Sequence, residues 1–194
     1  MGGSMRVSLS SIMLFALLSA CAAPSRDSFK IASIEKPGPL QTIPLDSARI
    51  VISLPQTWQG KPEVYEKPGL TMYQFRRQVV YDSLGRGIIP NLAVFAEKVP
   101  PGIDLVEYSV NKRIQKSLRE LSSVKFAWAT PGEFGLICYL AEYDDPAGIP
   151  HKIYVAYSLV RGTGIQILID GTASVFDMLD PEYKLILKRL QFMR

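Results

Sequence analysis

Cys138 and His151 are the two residues of this sequence best suited to nucleophilic chemistry. A working pair needs the thiol and the imidazole within about 3 Å of each other. If the strands around them form a hairpin that turns near Ala147, Cys138 lies opposite Ala156, which is roughly 16 Å from His151 at the rise of a strand. The spacing therefore argues against a Cys/His dyad. The apolar neighbours of Cys138 instead predict a structural, unreactive thiol.

Metal and phosphate sites have equally little support. His151 is the only histidine, and a lone histidine cannot make the usual multi-histidine metal site. The segment 144–148, with Glu142 beside it, could offer oxygens to calcium, but it also suits a turn and lacks the oxygen spacing of a calcium loop. The Gly-rich segment 161–164 precedes a strand, so we predict a hairpin turn and no phosphate-binding loop. We expect no metal and no cofactor.

Catalytic motifs and a nucleic-acid-binding charge pattern are missing as well. The sequence contains no Gly-x-Ser-x-Gly elbow, no His-Glu-x-x-His helix and no paired Cys-x-x-Cys knuckles. The acid pairs Glu97/Glu107 and Asp177/Asp180 have no shared surroundings that would separate their pKa values. The formal net charge is only +4 and is scattered along the chain, whereas nucleic-acid binding usually needs a concentrated basic face. We predict a protein that is not an enzyme and has no nucleic-acid partner.

The most specific signal lies at the N-terminus. Arg6 precedes an apolar run that is too short to span a bilayer and that ends in the small residues a signal peptidase requires. The sequence Leu18-Ser19-Ala20-Cys21 resembles the lipobox of bacterial lipoproteins, which implies cleavage between Ala20 and Cys21 and lipid attachment at Cys21. The alternatives are an ordinary signal peptide that carries a Cys, and a buried Cys in a short helix.

These features divide the chain into three parts. Residues 1–20 are predicted to be a lipoprotein signal peptide, 21–46 a flexible tether rich in proline, and 47–194 a single domain. A tether of about 25 residues reaches roughly 80 Å when fully extended. If Cys21 is acylated, Cys138 has no partner for an intramolecular disulfide, so the domain must be stable without one.

Apolar periodicity predicts the elements of this domain. Strands are expected at 49–54, 71–80, 91–99, 124–128, 134–143, 152–160 and 165–169. The strands 71–80 and 91–99 should pair antiparallel across a flexible loop at 81–89, and those at 152–160 and 165–169 should form a hairpin.

Two helices complete the domain. Asp104 and Glu107 resemble a capping box, and the helix after them should bury Val106, Val110, Ile114, Leu118 and Leu121. Its other side carries Lys112, Arg113, Lys116 and Arg119; this side is solvated or touches anionic lipid headgroups. A turn capped by Ser174 should precede a second helix that begins at Asp180-Pro181-Glu182 and buries Tyr183, Ile186, Leu187 and Leu190.

The predicted fold class is α+β, with an antiparallel sheet of about six or seven strands covered by helices. The element order, together with the segments 52–58 and 187–192, resembles the PsbP-like superfamily, including DcrB-type bacterial lipoproteins, over about residues 46–193. The resemblance implies an α/β/α sandwich and a non-enzymatic role in assembling or stabilising complexes. It also implies that some bacterial relatives act as chaperones for hydrophobic segments.

Our preferred hypothesis is a membrane-anchored envelope lipoprotein that acts as a protein-interaction or assembly factor, with another envelope protein as its partner. Ala22 after the Cys favours the outer membrane and a periplasmic domain if the host is Gram-negative. The alternative is a binding or chaperone-like domain for an apolar peptide or lipid. It is suggested by aromatic residues on the predicted strands, namely Tyr73, Phe75, Phe126, Trp128, Tyr139, Tyr154 and Tyr157.

Overall fold

The computed structural model describes residues 38–114, 118–124 and 135–193. These residues form twelve strands and two α-helices. In chain order they are β1 (Leu40–Leu45), β2 (Ile50–Pro55), β3 (Glu63–Lys67), β4 (Leu70–Arg76), β5 (Val80–Tyr81), β6 (Gly87–Ile88), β7 (Asn91–Lys98), α1 (Leu105–Ile114), β8 (Arg119–Val124), β9 (Ile137–Asp144), β10 (Pro150–Val160), β11 (Thr163–Thr172), α2 (Ala173–Lys188) and β12 (Gln191–Phe192).

Seven of these strands form one antiparallel sheet in the order β3-β4-β7-β11-β10-β9-β8. The predicted antiparallel pairing of β4 with β7 is confirmed. The central hairpin β10/β11 is tighter than predicted, because only Arg161 and Gly162 lie between the paired residues Val160 and Thr163. Both turn residues have positive φ, at 48° and 76°, which is the conformation that matches the twist of paired strands.

The hairpin β9/β10 has the register expected from the sequence. Cys138 is paired with Ala156. The connection is a turn in which the Asp145 carboxylate accepts the N–H groups of Ala147 and Ile149 at 2.9 and 2.8 Å. An aspartate that bonds its own following backbone in this way stabilises a turn without any metal ion, so the turn prediction is confirmed.

Both faces of the sheet are covered, as predicted. One face packs against α2 and a small second sheet of β1, β2 and β12, and this larger core contains Phe75, Trp58, Phe176 and Tyr183. The other face packs against α1 through Tyr108, which joins a smaller core with Val155 and Tyr157. The α+β class and the helix-covered antiparallel sheet are thus confirmed.

The folded part begins earlier than predicted. Leu40–Leu45, which was assigned to the tether 21–46, forms strand β1 and pairs with β2 along its whole length. Leu45 is buried in the main core, whereas Pro44 is exposed. Proline is compatible with an edge strand, where no ladder hydrogen bond depends on its nitrogen, so the proline-rich composition concealed a strand.

Helix α1 differs from the prediction in length and in orientation. It ends at Ile114 in the described chain, and Leu121 belongs to strand β8. The predicted buried stripe is turned outward, since Val106, Val110 and Ile114 are 62%, 41% and 78% exposed. The buried residues of the helix are Tyr108 and Ser109. The predicted strand residues 125–128 lie outside the described residues.

The C-terminal segment is one helix, where a short turn and a second helix were predicted. Helix α2 runs through Pro181 without a break. A proline in a helix interior costs a backbone hydrogen bond, and here the residue that loses its partner, Asp177, lies with Pro181 on the exposed side of the helix, where water can solvate the carbonyl. The predicted buried side, Tyr183, Ile186, Leu187 and Leu190, is confirmed.

Candidate functional site

The residues predicted to carry nucleophilic chemistry are kept apart. Cys138 is 3% exposed and belongs to the core beneath α2, and this burial raises the pKa of its thiol to about 12. Its cross-strand partner is Ala156, five positions along β10 from His151. An odd separation on a strand places the two side chains on opposite faces of the sheet. The expectation that they form no dyad is confirmed. The predicted cleavage and lipid-attachment residues, Ala20 and Cys21, lie outside the described residues.

His151 instead belongs to a buried polar cluster that sequence reasoning missed. Its Nδ1 lies 3.1 and 3.2 Å from the two carboxylate oxygens of Asp170, and the Tyr143 hydroxyl lies 3.4 Å from the same nitrogen. The Nε2 atom is buried without a hydrogen-bond partner, 4.0 Å from a carboxylate oxygen of Asp145. The signal that could have revealed the pair is an acidic residue inside the apolar run of β11.

The cluster stabilises a positive charge on the imidazole. Burial alone would lower the pKa of His151, but the hydrogen bond to Asp170 and the charges of Asp170 and Asp145 together raise it above the ordinary value of 6.5. Within the described ranges no three His, Cys, Asp or Glu side chains converge as metal ligands do. The arrangement is that of a structural ion pair with a titratable partner.

This ion pair predicts a pH-dependent stability. Because the folded-state pKa of His151 is raised, its contribution is fully present below about pH 6.5 and is lost as the pH rises through the folded-state value. We expect the free energy of unfolding, measured with urea between about pH 5 and pH 8, to lose part of its pH dependence in His151→Gln. A variant with the same pH dependence as the wild type would contradict this assignment.

A groove lies between α1 and the sheet. A space of about 300 Å³ lies beside Val110, Arg113 and Ile114 of the helix. Aliphatic side chains dominate the walls, which are formed by Val110, Arg113, Ile114, Leu118, Tyr139, Ala141, Val155 and Tyr157. The groove lies beside the outward-facing apolar residues of α1, so the two make one continuous apolar surface.

Two polar groups belong to this groove. The Tyr157 hydroxyl is buried and has no hydrogen-bond partner among the described residues. Burial raises its pKa, and the nearby charge of Arg113 opposes that rise. The Arg113 guanidinium lies 4.3 Å from the centroid of the Tyr139 ring. The lining thus combines apolar walls with a hydrogen-bond donor and a cation, and none of its residues is an acid or a histidine.

Polar contacts from Tyr108 and Lys112 fix α1 to the sheet. The Tyr108 hydroxyl donates to Glu97 at 2.8 Å, and the Lys112 ammonium contacts the same carboxylate at 2.7 Å. The Tyr108 ring lies directly over Gly164, where a Cβ would come within 2.5 Å of the ring. These contacts explain why tyrosine and lysine, and not the valine stripe, face the sheet.

Comparison with known proteins gives a likeness of fold. No family model and no curated protein sequence matches the chain. Among solved structures it is similar to a Pseudomonas aeruginosa protein of unknown function, a putative regulator, with 11% identity and a TM-score of 0.50 over 81% of this chain and 99% of that one. At this identity the likeness concerns the fold alone.

Two further structures are similar at a lower score. LpqN of Mycobacterium tuberculosis, involved in cell envelope biogenesis, has 15% identity and a TM-score of 0.47 over 80% of this chain and 92% of its own. The PsbP protein of the cyanobacterium Synechocystis has 13% identity and a TM-score of 0.48 over 88% and 98%. Within the part of the chain that the structure describes, no helix has the length and hydrophobicity needed to cross a bilayer.

Proposed function

We propose that this chain is an envelope lipoprotein, held at the membrane by a lipid on Cys21 after removal of residues 1–20, whose domain is a non-enzymatic interaction or assembly factor for an envelope complex. The observation that carries the proposal is the apolar stripe of α1, because Val106, Val110 and Ile114 face solvent. A contiguous apolar patch on a soluble domain usually marks an interaction site. We place the domain in the periplasm of a host that has an outer membrane.

The chemistry of the described residues supports a role without catalysis. The thiol of Cys138 is buried with a raised pKa, and His151 is buried and paired with Asp170. The groove beside α1 brings together no pair of titratable groups with separated acid and base roles, which general acid–base catalysis requires.

A second candidate function uses the same surface for an apolar ligand. The groove of about 300 Å³ is within the size range of small-ligand sites. Most of the aromatic residues singled out in the sequence do not contribute to an exposed site, because four of them, Tyr73, Phe75, Tyr154 and Tyr157, are core residues. Tyr139 is only partly buried and lines the groove, while Phe126 and Trp128 lie outside the described residues. An apolar peptide or lipid with one hydrogen-bond acceptor would satisfy the Tyr157 hydroxyl.

A photocrosslinking amino acid at position 114 tests the proposal in native membranes. We expect an ultraviolet-dependent adduct with a second polypeptide at Ile114, because its side chain is 78% exposed at the mouth of the groove. Position 64 is the matched control, since Val64 is also exposed, at 48%, but lies on the edge strand β3, away from α1. Capture at 114 and not at 64 supports a protein partner.

The same experiment separates the two candidate functions. An adduct at position 114 with the mass of a lipid would favour the ligand-binding alternative. Equal capture at both positions, or no adduct at 114, would show that the α1 surface is not the interaction site, and the proposed assembly role would lose its structural support.

A further inference from the structure

A second exposed apolar surface lies on the small hairpin β5/β6, which precedes β7 in the chain. Its base is closed by the Arg77 N–H, which donates to the Pro90 carbonyl at 3.0 Å. Four large apolar residues of this hairpin face solvent, namely Val79 (43%), Tyr81 (49%), Leu84 (74%) and Ile89 (40%). We call these four residues the hairpin patch.

Strand alternation places Val79, Tyr81 and Ile89 of the hairpin patch on the outer side of the hairpin. Val80 and its partner Ile88 point inward and are buried in the main core, so the residues on either side of them point outward. Gly87 lies between the outward side chains. A Cβ at Gly87 would come within 3.1 Å of Val79 and 3.5 Å of the Tyr81 ring, and the missing side chain lets these two residues cover the strand.

The tip of the hairpin is held in one conformation. The carboxylate of Asp82 accepts the N–H groups of Leu84 and Arg86, each at 2.9 Å, and the Arg86 guanidinium at 2.8 Å. Burial would raise the pKa of Asp82, but these hydrogen bonds lower it below its ordinary value. The turn that carries Leu84 is therefore held by satisfied hydrogen bonds, and Leu84 is exposed on it.

Three arginines next to the patch along the chain are paired. Arg86 is paired with Asp82, Arg77 with Glu182 and Arg76 with Glu63, at 2.7, 2.9 and 3.4 Å. An apolar surface whose neighbouring charges are compensated can enter a nonpolar medium with little cost of desolvating an isolated ion. The patch thus suits the boundary between headgroups and acyl chains, where tyrosine and leucine are typical contacts.

The place where the described chain begins indicates which surface the hairpin meets. Gln41, in the first strand, donates to the Trp58 carbonyl at 2.8 Å. Trp58 and Arg77 form an isolated antiparallel β-bridge through their backbones, and the Gln78 N–H donates to the Thr57 carbonyl at 2.7 Å. The chain therefore enters the domain beside the base of the hairpin. A flexible chain of the length that separates Cys21 from residue 38 would span roughly 23 Å on average, so a lipid on Cys21 would hold this end near the bilayer.

We propose that the hairpin patch inserts into the surface of the bilayer to which the chain is anchored, with Leu84 and Tyr81 at the boundary of headgroups and acyl chains. This inference rests on the proposed lipid anchor. The contact fixes the orientation of the domain, which a flexible tether alone leaves free. Because the nearby charges are paired, insertion depends on apolar contact and changes little with salt or with the fraction of anionic lipid.

An environment-sensitive fluorophore on Leu84→Cys tests the insertion. The full lipid-modified chain is reconstituted in vesicles of phosphatidylethanolamine and phosphatidylglycerol that contain a spin-labelled lipid. The native Cys138 does not compete for the label, since its thiol is buried and has a pKa of about 12. Val64→Cys is the matched control, because Val64 is an exposed aliphatic residue outside the hairpin patch.

We expect the fluorophore at position 84 to shift to shorter wavelength and to be quenched several-fold more than the fluorophore at position 64. Adding Tyr81→Ser should remove most of that difference. Equal quenching at both positions, or an emission at 84 that is unchanged by vesicles, overturns the proposal. A patch that binds a protein and not the bilayer would give this negative result. Fatty-acid labelling of Cys21 is scored separately. If no lipid is found, a Leu84→Cys chain that also carries Cys21→Ala, and so offers the label no second accessible thiol, can still be mixed with vesicles and read at position 84. Failure of the anchor and failure of insertion are thus distinguished.

Discussion

Cys21→Ala is expected to abolish metabolic labelling of the chain with a fatty acid and to leave a precursor that retains residues 1–20. The reason is chemical, because lipid transfer needs the thiol at position 21 as its acceptor and the lipobox resemblance ends on that residue. The measurement is labelling with an alkyne fatty acid in growing cells, followed by mass determination of the purified chain. The expected loss is complete, since the sequence offers only one other cysteine.

Cys138→Ala is the control for this experiment, because Cys138 is buried in the folded domain and labelling should persist. A wild-type chain that is cleaved but carries no fatty acid would indicate an ordinary signal peptide. That result would remove the anchor from the proposed function and leave the fold unaffected.

Glu182→Ala is expected to lower the free energy of unfolding by about 3 kcal/mol. Glu182 accepts the Trp58 indole N–H at 2.7 Å and two guanidinium nitrogens of Arg77 at 2.9 and 3.2 Å. The side chains of the ion pair are only 13% exposed, so removing the carboxylate leaves a largely buried cation and an indole N–H unpaired. The loss should appear in urea denaturation at fixed pH.

Asp177→Ala on the same helix is the matched control. Asp177 pairs with Lys152 at 2.8 Å, but its side chain is 75% exposed, and exposed ion pairs contribute about 0–1 kcal/mol. Glu182→Gln should fall between the two, because it keeps an acceptor for Trp58 and loses the charge that pairs with Arg77. If Glu182→Ala were no more destabilising than Asp177→Ala, the contact would be dispensable.

Strand pairing could be predicted from the sequence where turn chemistry and apolar alternation agreed. The pairing of Cys138 with Ala156 follows from a turn near Ala147 and from the two-residue period of strands. The antiparallel class and the burial of one side of α2 followed from the same reasoning. Each of these features depends on local patterns, which a single sequence contains.

The orientation of α1 could not be predicted in the same way. Two sets of residues in this helix recur with helical spacing, the valines and isoleucine on one side and Leu105, Tyr108, Ser109 and Lys112 on the other. The second set faces the sheet because the carboxylate of Glu97 in β7 accepts hydrogen bonds from both Tyr108 and Lys112. A carboxylate supplied by a distant strand decides which set is buried, and hydropathy alone contains no information about that partner.

The candidate sites could be predicted in part for similar reasons. The unreactive thiol of Cys138 could be inferred from its apolar neighbours, and the lack of a Cys/His dyad from the separation of Cys138 and His151. Asp170 was missed because its pairing with His151 requires the neighbouring strand. The proline content of the N-terminal segment predicts a tether, but Leu40–Leu45 forms a strand. Pro181 predicts the start of a helix, but helix α2 continues through it. In each case tertiary contacts overrode a local preference.

The absence of a side chain at Gly164 lets α1 lie close to the strands. With only a hydrogen there, the Tyr108 ring rests on the backbone, and Val99 closes in beside it. Any larger residue would act as a spacer beneath the helix, tilting it outward and enlarging the groove while straining the Glu97 contacts. We therefore expect a substitution at this glycine, which does not line the groove, to change the size of the ligand that the groove can accept.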